Sequence, residues 1–248
     1  MAGSDIVKIT EEQLFDYMFC PAMYHIKYKM HIGIQEHITP AKLLNQAKKF
    51  FLVNLLNGQV TTLIKLQKKW DAICTANQDI IDSKKNIEGW SKLVNFARWA
   101  EEHRIIVADM NATYNINIQN VILTGNVDTI LVDKNKRLEL LYVNFGNKEY
   151  EQYEIDSRIK YTIDSVATKL LFNAYPKGIK IYYPKVNKEF FTFRTDADYL
   201  KLETTIYNIG NAIRYDCFYP RESVMCPTCT AKKYCKYWHV PINSITNE

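Results

Sequence analysis

The chain has 248 residues, 47% of them hydrophobic and 24% charged, with a formal net charge of +5. That length can bury a large core, and the composition is that of an ordinary globular protein. No apolar run approaches the roughly 20 residues that span a bilayer, and no apolar signal segment opens the chain, so a cytoplasmic protein without a membrane partner is expected. The basic excess permits a polyanionic partner without requiring one.

Residues 10–30 place Leu14, Tyr17, Met18 and Tyr24 at helical spacing behind "TEEQ", with Thr10 a fitting N-cap. This first helix carries Cys20, followed directly by Pro21. Residues 40–70 continue in helical period, through "PAKLLNQAKKFFLVNLLNG", a break at Gly58, and "TTLIKLQKKWDAI". Residues 84–108 read as further helix. The period then changes: "ATYNINIQNVILTGNVDTILVD" alternates polar and apolar, and "RLELLYVNFG" follows the turn residues "DKNK". Residues 154–174 return to helix, "GIKIYYPKVNKEFFTFR" reads as a pair of strands, and 196–214 form a last helix. The expected organisation is one domain over 1–248: a first helix at 10–30, a helical region at 40–108, an α/β core at 109–214 and a tail at 215–240. Its core order is β-β-β-α-β-β-α.

Six cysteines occur: Cys20, Cys74, Cys217, Cys226, Cys229 and Cys235. In a reducing compartment clustered thiols bind metal more often than they form disulfides. The last three, in "VMCPTCTAKKYCKYW", are spaced C-x2-C-x5-C, and the two-residue loop of "CPTC" lets both sulfurs face one site. Three thiolates leave a ligand position open. Cys20 is the expected fourth ligand, because its Cys-Pro pair echoes Cys226-Pro227; His239 is the alternative. Four such ligands suit zinc or an iron–sulfur cluster, and spacing does not choose between them. Cys74 and Cys217 read as small buried hydrophobes.

The "CP..Y" helix, the "GNVD" strand, the strand after it, an amphipathic helix and "YPRESVMCPTC.....C" together resemble the RecB-like branch of the PD-(D/E)XK nuclease superfamily. The likeness is to its iron–sulfur members, the AddB nuclease domain and the CRISPR-associated RecB-like exonucleases, and it covers residues 10–238. It implies an α/β fold, a mixed sheet flanked by helices, with a helical insertion in the N-terminal half and a C-terminal cysteine tail. It also implies a 4Fe–4S cluster on Cys20, Cys226, Cys229 and Cys235, which displaces zinc as the expected group.

The family's chemistry uses acidic residues that hold one or two Mg²⁺ or Mn²⁺ ions, and a Lys that positions water. Asp128 stands where a metal-binding Asp belongs. The next strand should carry E-x-K, and here Tyr142 stands at the acid, Asn144 at the lysine and Gly146 in the turn. Ser157 replaces the Gln of a Q-x3-Y helix start that keeps Tyr161, and "LLNQAKKF" fills the region of an early helical His. Glu139, three residues from Tyr142, faces the other side of the strand. Lys148 lies beyond the turn, within reach of folding back. Asp128, Tyr142, Asn144 and Tyr161 therefore read as a vestigial site, and an enzyme is not expected.

Lys mixed with aromatics recurs at 65–70, 83–85, 177–188 and 231–238, and the last run offers Lys232, Lys233, Lys236, Tyr237 and Trp238 for phosphates and bases. The expected function is a catalytically degenerate iron–sulfur nuclease-like protein of a phage or mobile element. It would bind DNA, single-stranded or at duplex ends, or scaffold other subunits of a DNA-processing complex. The alternatives are an active DNA exonuclease or endonuclease with relocated residues, and a protein-interaction subunit with structural zinc and no nucleic-acid contact.

Overall fold

The computed structural model describes residues 6–33 and 38–237. Its centre is a six-stranded mixed sheet of order β1-β3-β4-β5-β6, with β2 also paired to β3. The strands are β1 (Val7–Thr10), β2 (Val107–Ile118), β3 (Val121–Val132), β4 (Leu138–Val143), β5 (Ile179–Tyr183) and β6 (Lys188–Thr192). β3 and β4 are antiparallel in the register Ile130↔Leu140, and β4 and β5 are parallel in the register Tyr142↔Ile181. The parallel step needs a crossover, which α6 (Gln152–Asp156) and α7 (Ile159–Phe172) supply. The α/β class with a mixed sheet and flanking helices is thus the observed one.

The described residues divide into two compact units, those within 1–36, 115–125 and 200–248 forming one and those within 37–114 and 126–199 the other. The second unit holds the larger core. Helices α3 (Pro40–Leu56), α4 (Leu63–Ala76) and α5 (Ser83–Glu102) lay their apolar stripes on one sheet face. There Leu52, Leu66, Trp70, Leu93 and Phe96 pack with Leu131, Leu141, Val143 and Tyr182. Side-chain caps start all three helices, from Thr39, Thr62 and Asp82. Gly89 lets α5 approach Trp70, since a Cβ there would stand 2.5 Å from the indole ring.

The first unit holds β1, α1 (Glu11–Phe19), α2 (Pro21–Tyr24), most of α8 (Asp196–Arg214) and the cysteine tail. Thr10 caps α1 in a reciprocal capping box with Gln13. The single helix expected over 10–30 is broken. Cys20 leaves the helical region at φ −160°, Pro21 opens α2, and a wider π-turn follows at His25–Lys29. Pro21 is the physical reason, because the residue before a proline is pushed into extended backbone. The helix expected over 154–174 is likewise two, parted at Ser157 and Arg158. β1, four residues of "VKIT", was not anticipated: so short a strand shows no period of its own.

Candidate functional site: a polar cluster beside the sheet and a four-cysteine cavity

The antiparallel register of β3 and β4, carried on by two residues, sets Asp128 across from Tyr142. Alternation then decides the faces: Leu141 and Val143 enter the helical core, and Tyr142 points to α7. Tyr142 packs its ring 4.5 Å from that of Tyr161 and donates its hydroxyl to Asp164 Oδ2. Lys160 Nζ reaches Asp164 Oδ1 at 2.9 Å and the carbonyl oxygen of Asn126 at 3.3 Å. The Asp164 side chain is 0% exposed, so this carboxylate is buried with a hydroxyl and an ammonium as partners. Burial pushes the Tyr161 hydroxyl up to about 12, against the partial relief offered by Arg158.

Asp128 is taken up as well. Lys48, from the stretch "LLNQAKKF" on α3, places Nζ 2.5 Å from Asp128 Oδ2. The Lys48 side chain is 4% exposed and that of Asp128 39%. An ammonium therefore stands against the Asp128 carboxylate. Sequence reasoning sought a histidine in this stretch and passed over Lys48, since a lysine in a basic helix reads as solvated. Asp164 was missed in the same way, although its i,i+4 spacing from Lys160 was a signal.

The other residues considered for a relocated site have partners of their own. Glu139 is buried and holds Lys180 at 2.9 Å and Lys177 at 3.4 Å. Lys148 folds back, as its position allowed, but onto Glu154 at 2.8 Å. The side chain of Asn144 accepts from Gly146 N at 2.8 Å and so closes the turn after β4. Ser157 Oγ donates to the carbonyl oxygen of Glu154 at 3.1 Å at the end of α6.

In the first unit the four cysteines come together. Cys20, Cys226, Cys229 and Cys235 line one cavity of about 340 Å³, with Phe19, Met23, Ile26 and Ala231 around them. Two short 3₁₀ turns, Cys226–Thr228 and Lys232–Tyr234, carry the tail thiols inward. Backbone N–H groups point at two sulfurs: Arg221 N donates to Cys20 Sγ and Ser223 N to Cys226 Sγ, each at 3.4 Å. Burial, with the other three thiols nearby, pushes the Cys229 thiol up. Among the described residues no group of three or more His, Cys, Asp or Glu side chains is placed to hold a single metal ion. Cys74 is buried, as expected, but Cys217 is exposed, which corrects its reading as a buried hydrophobe; its place in the chain leaves it on the strap that enters the tail.

Of the expected nucleic-acid residues, Lys233 sits 4.6 Å from the ring of Tyr234 and Lys236 5.2 Å from that of Tyr237. Tyr237 is exposed, and Lys232 is half-buried. Trp238 and His239 lie outside the described residues.

No family model and no curated protein matches the sequence. A crystal structure from Eubacterium rectale, described as a "Putative exonuclease", is similar over 100% of this chain and 95% of its own, with a TM-score of 0.59 and 10% identity. A second, SSO0001, is similar over 93% of this chain and 95% of its own, at a TM-score of 0.36 and 12% identity. The fold is nuclease-like. At such identity the first likeness speaks for the fold and not for the chemistry. No described helix is long and apolar enough to cross a membrane.

Proposed function

We propose that the chain is a catalytically silent, RecB-like member of the PD-(D/E)XK nucleases that carries a 4Fe–4S cluster and binds DNA within a DNA-processing assembly. The observation that carries the reading is the ion pair of the buried Lys48 with the half-buried Asp128, at 2.5 Å. Mg²⁺ needs several oxygen ligands and sheds water reluctantly. Here the strand acid is already neutralised, the position of the second acid holds Tyr142, and that of the lysine holds Asn144. Asp164 offers a further carboxylate nearby, but Tyr142 and Lys160 engage both of its oxygens.

Cys20, Cys226, Cys229 and Cys235 would hold the cluster. Bound there, it would cross-link the α1–α2 junction to the tail. A single zinc ion gathers its sulfurs to about 2.3 Å from one point. Cluster thiolates each bind a different iron and so stand apart around an inorganic core. Four thiols line the cavity, and it is the family likeness that favours the second case. The N–H groups on Cys20 and Cys226 and the apolar shell are further features that suit cluster sulfurs.

DNA contact falls to the tail, where Lys233, Lys236, Tyr234 and Tyr237 combine phosphate-binding charge with rings on which bases stack. The test is fluorescence anisotropy with a labelled single-stranded oligonucleotide, in excess Mg²⁺ and again in excess chelator. The expected result is salt-sensitive binding that is at least as tight without the divalent ion. Absence of binding at low salt would favour the interaction-subunit reading. Binding that depends on Mg²⁺ would point to a working metal site.

A further inference from the structure

Helix α1 has no basic residue in its last turn; Cys20 N meets the carbonyl oxygen of Asp16, and no side chain of that turn answers the carbonyl oxygens that follow. Arg221, 203 residues further on, does so: its guanidinium donates to the carbonyl oxygen of Met18 at 2.7 Å. The backbone N–H of the same residue donates to Cys20 Sγ. Two more bonds extend this strap. Tyr17 Oη donates to the carbonyl oxygen of Cys217 at 2.6 Å, and Ala22 N donates to that of Tyr219 at 3.1 Å. Segment 217–221 is thereby laid along α1 and α2, and no bond in the set requires a metal.

We infer that Arg221 is the positioning residue of the four-cysteine site, and that its strap docks the tail onto Cys20 before any cluster is bound. The inference rests on the cluster reading above. Sites without such a dock are assembled by the metal itself, whose binding free energy then has to fold the chain. Here the closure of a loop of more than 200 residues, from Cys20 to Cys226, is met by hydrogen bonds and packing instead. The cluster is then taken up by a preformed cavity. Arg221 also fixes which way the Cys20 sulfur faces, since it holds the carbonyl oxygen of Met18, two residues earlier, and the thiol itself. Without the guanidinium one of four ligands would be loosely held, and loss of iron would begin there.

The test uses the full chain, purified anaerobically, beside Arg221→Ala, Arg221→Lys and Tyr17→Phe. Iron release to a chelator is followed by the decay of visible absorption, and alkylation of Cys20 in iron-depleted protein by mass spectrometry. Arg221→Ala should release iron about 10-fold faster, a loss of about 1.4 kcal/mol, and should label Cys20 faster, with little change in melting temperature. Arg221→Lys, which keeps one donor and the charge, should fall between, and Tyr17→Phe should also speed release. Iron-loaded native protein with an Arg221→Ala rate equal to its own overturns the role of Arg221 and leaves the cluster reading standing. Native protein that never holds iron overturns both. Should Arg221→Ala fail to fold, unchanged release in both other variants overturns the inference.

Discussion

Replacing Asp128 by alanine should destabilise this protein, and the sign of that effect separates a silent site from a working one. In a live metal site the acids repel one another before the metal binds, so removing one relieves strain and raises the stability of the metal-free protein. Here Asp128 is the partner of Lys48, whose side chain is only 4% exposed. Breaking a buried ion pair from one side costs roughly 3–5 kcal/mol, because the other charge stays buried without compensation. Asp128 itself is 39% exposed, so water can follow it in and the lower end, about 3 kcal/mol, applies. For a chain of this size that corresponds to a fall in Tm of roughly 6–12 °C. Thermal and urea unfolding of native protein, Asp128→Ala and the pair Lys48→Met with Asp128→Leu would measure it. The paired variant should recover most of the loss, since removing both charges leaves no orphan. A native protein that Mg²⁺ stabilises, beside an Asp128→Ala variant that is at least as stable but indifferent to Mg²⁺, would refute the reasoning.

Further outcomes follow from the same geometry. Tyr142→Phe removes a donor from the fully buried Asp164 and should lower the urea midpoint by the equivalent of about 1–3 kcal/mol; an unchanged midpoint would show that the hydroxyl is not needed there. Burial holds Tyr17, Tyr161 and Tyr182 up to about 12, above the ordinary 10.0. The neutral phenols are favoured in the folded state, so their contribution is complete below pH 10 and is lost as pH rises from 10 toward 12. Tyr161→Phe should flatten that alkaline decline, which denaturant midpoints at stepped pH would read. Changing Lys232, Lys233 and Lys236 together to Ala should weaken single-stranded DNA binding and reduce the slope of log affinity against log salt by about 2; an unchanged slope would move the contact elsewhere.

How far the sequence reached depends on the range of the interactions concerned. The alternation of 112–132 placed the strand that carries Asp128, and the C-x2-C-x5-C spacing drew attention to the tail, because both signals are local. The Cys-Pro echo singled out Cys20, which lines the same cavity as the tail thiols across more than 200 residues. What stayed hidden was long-range or ambiguous. Lys48 meets Asp128 across 80 residues, and nothing in "QAKKF" says which of its two lysines turns inward. Asp164 reads as one more polar helix position until β4 is laid beside α7. The role of Pro21 as a break was legible from its chemistry, yet the apolar spacing on both sides outweighed it. Arg221 showed no period or motif at all; its meaning lies in the carbonyl group it meets on α1.

The most direct test of the proposed catalytic silence is a cleavage assay at high protein concentration. Native chain and Asp128→Ala would be incubated with single- and double-stranded DNA in Mg²⁺ and, separately, in Mn²⁺, and the products resolved by length. The expected result is intact DNA in every lane. Degradation by the native chain that disappears in Asp128→Ala would contradict the account, because it would mean that Lys48 yields the carboxylate to a metal ion.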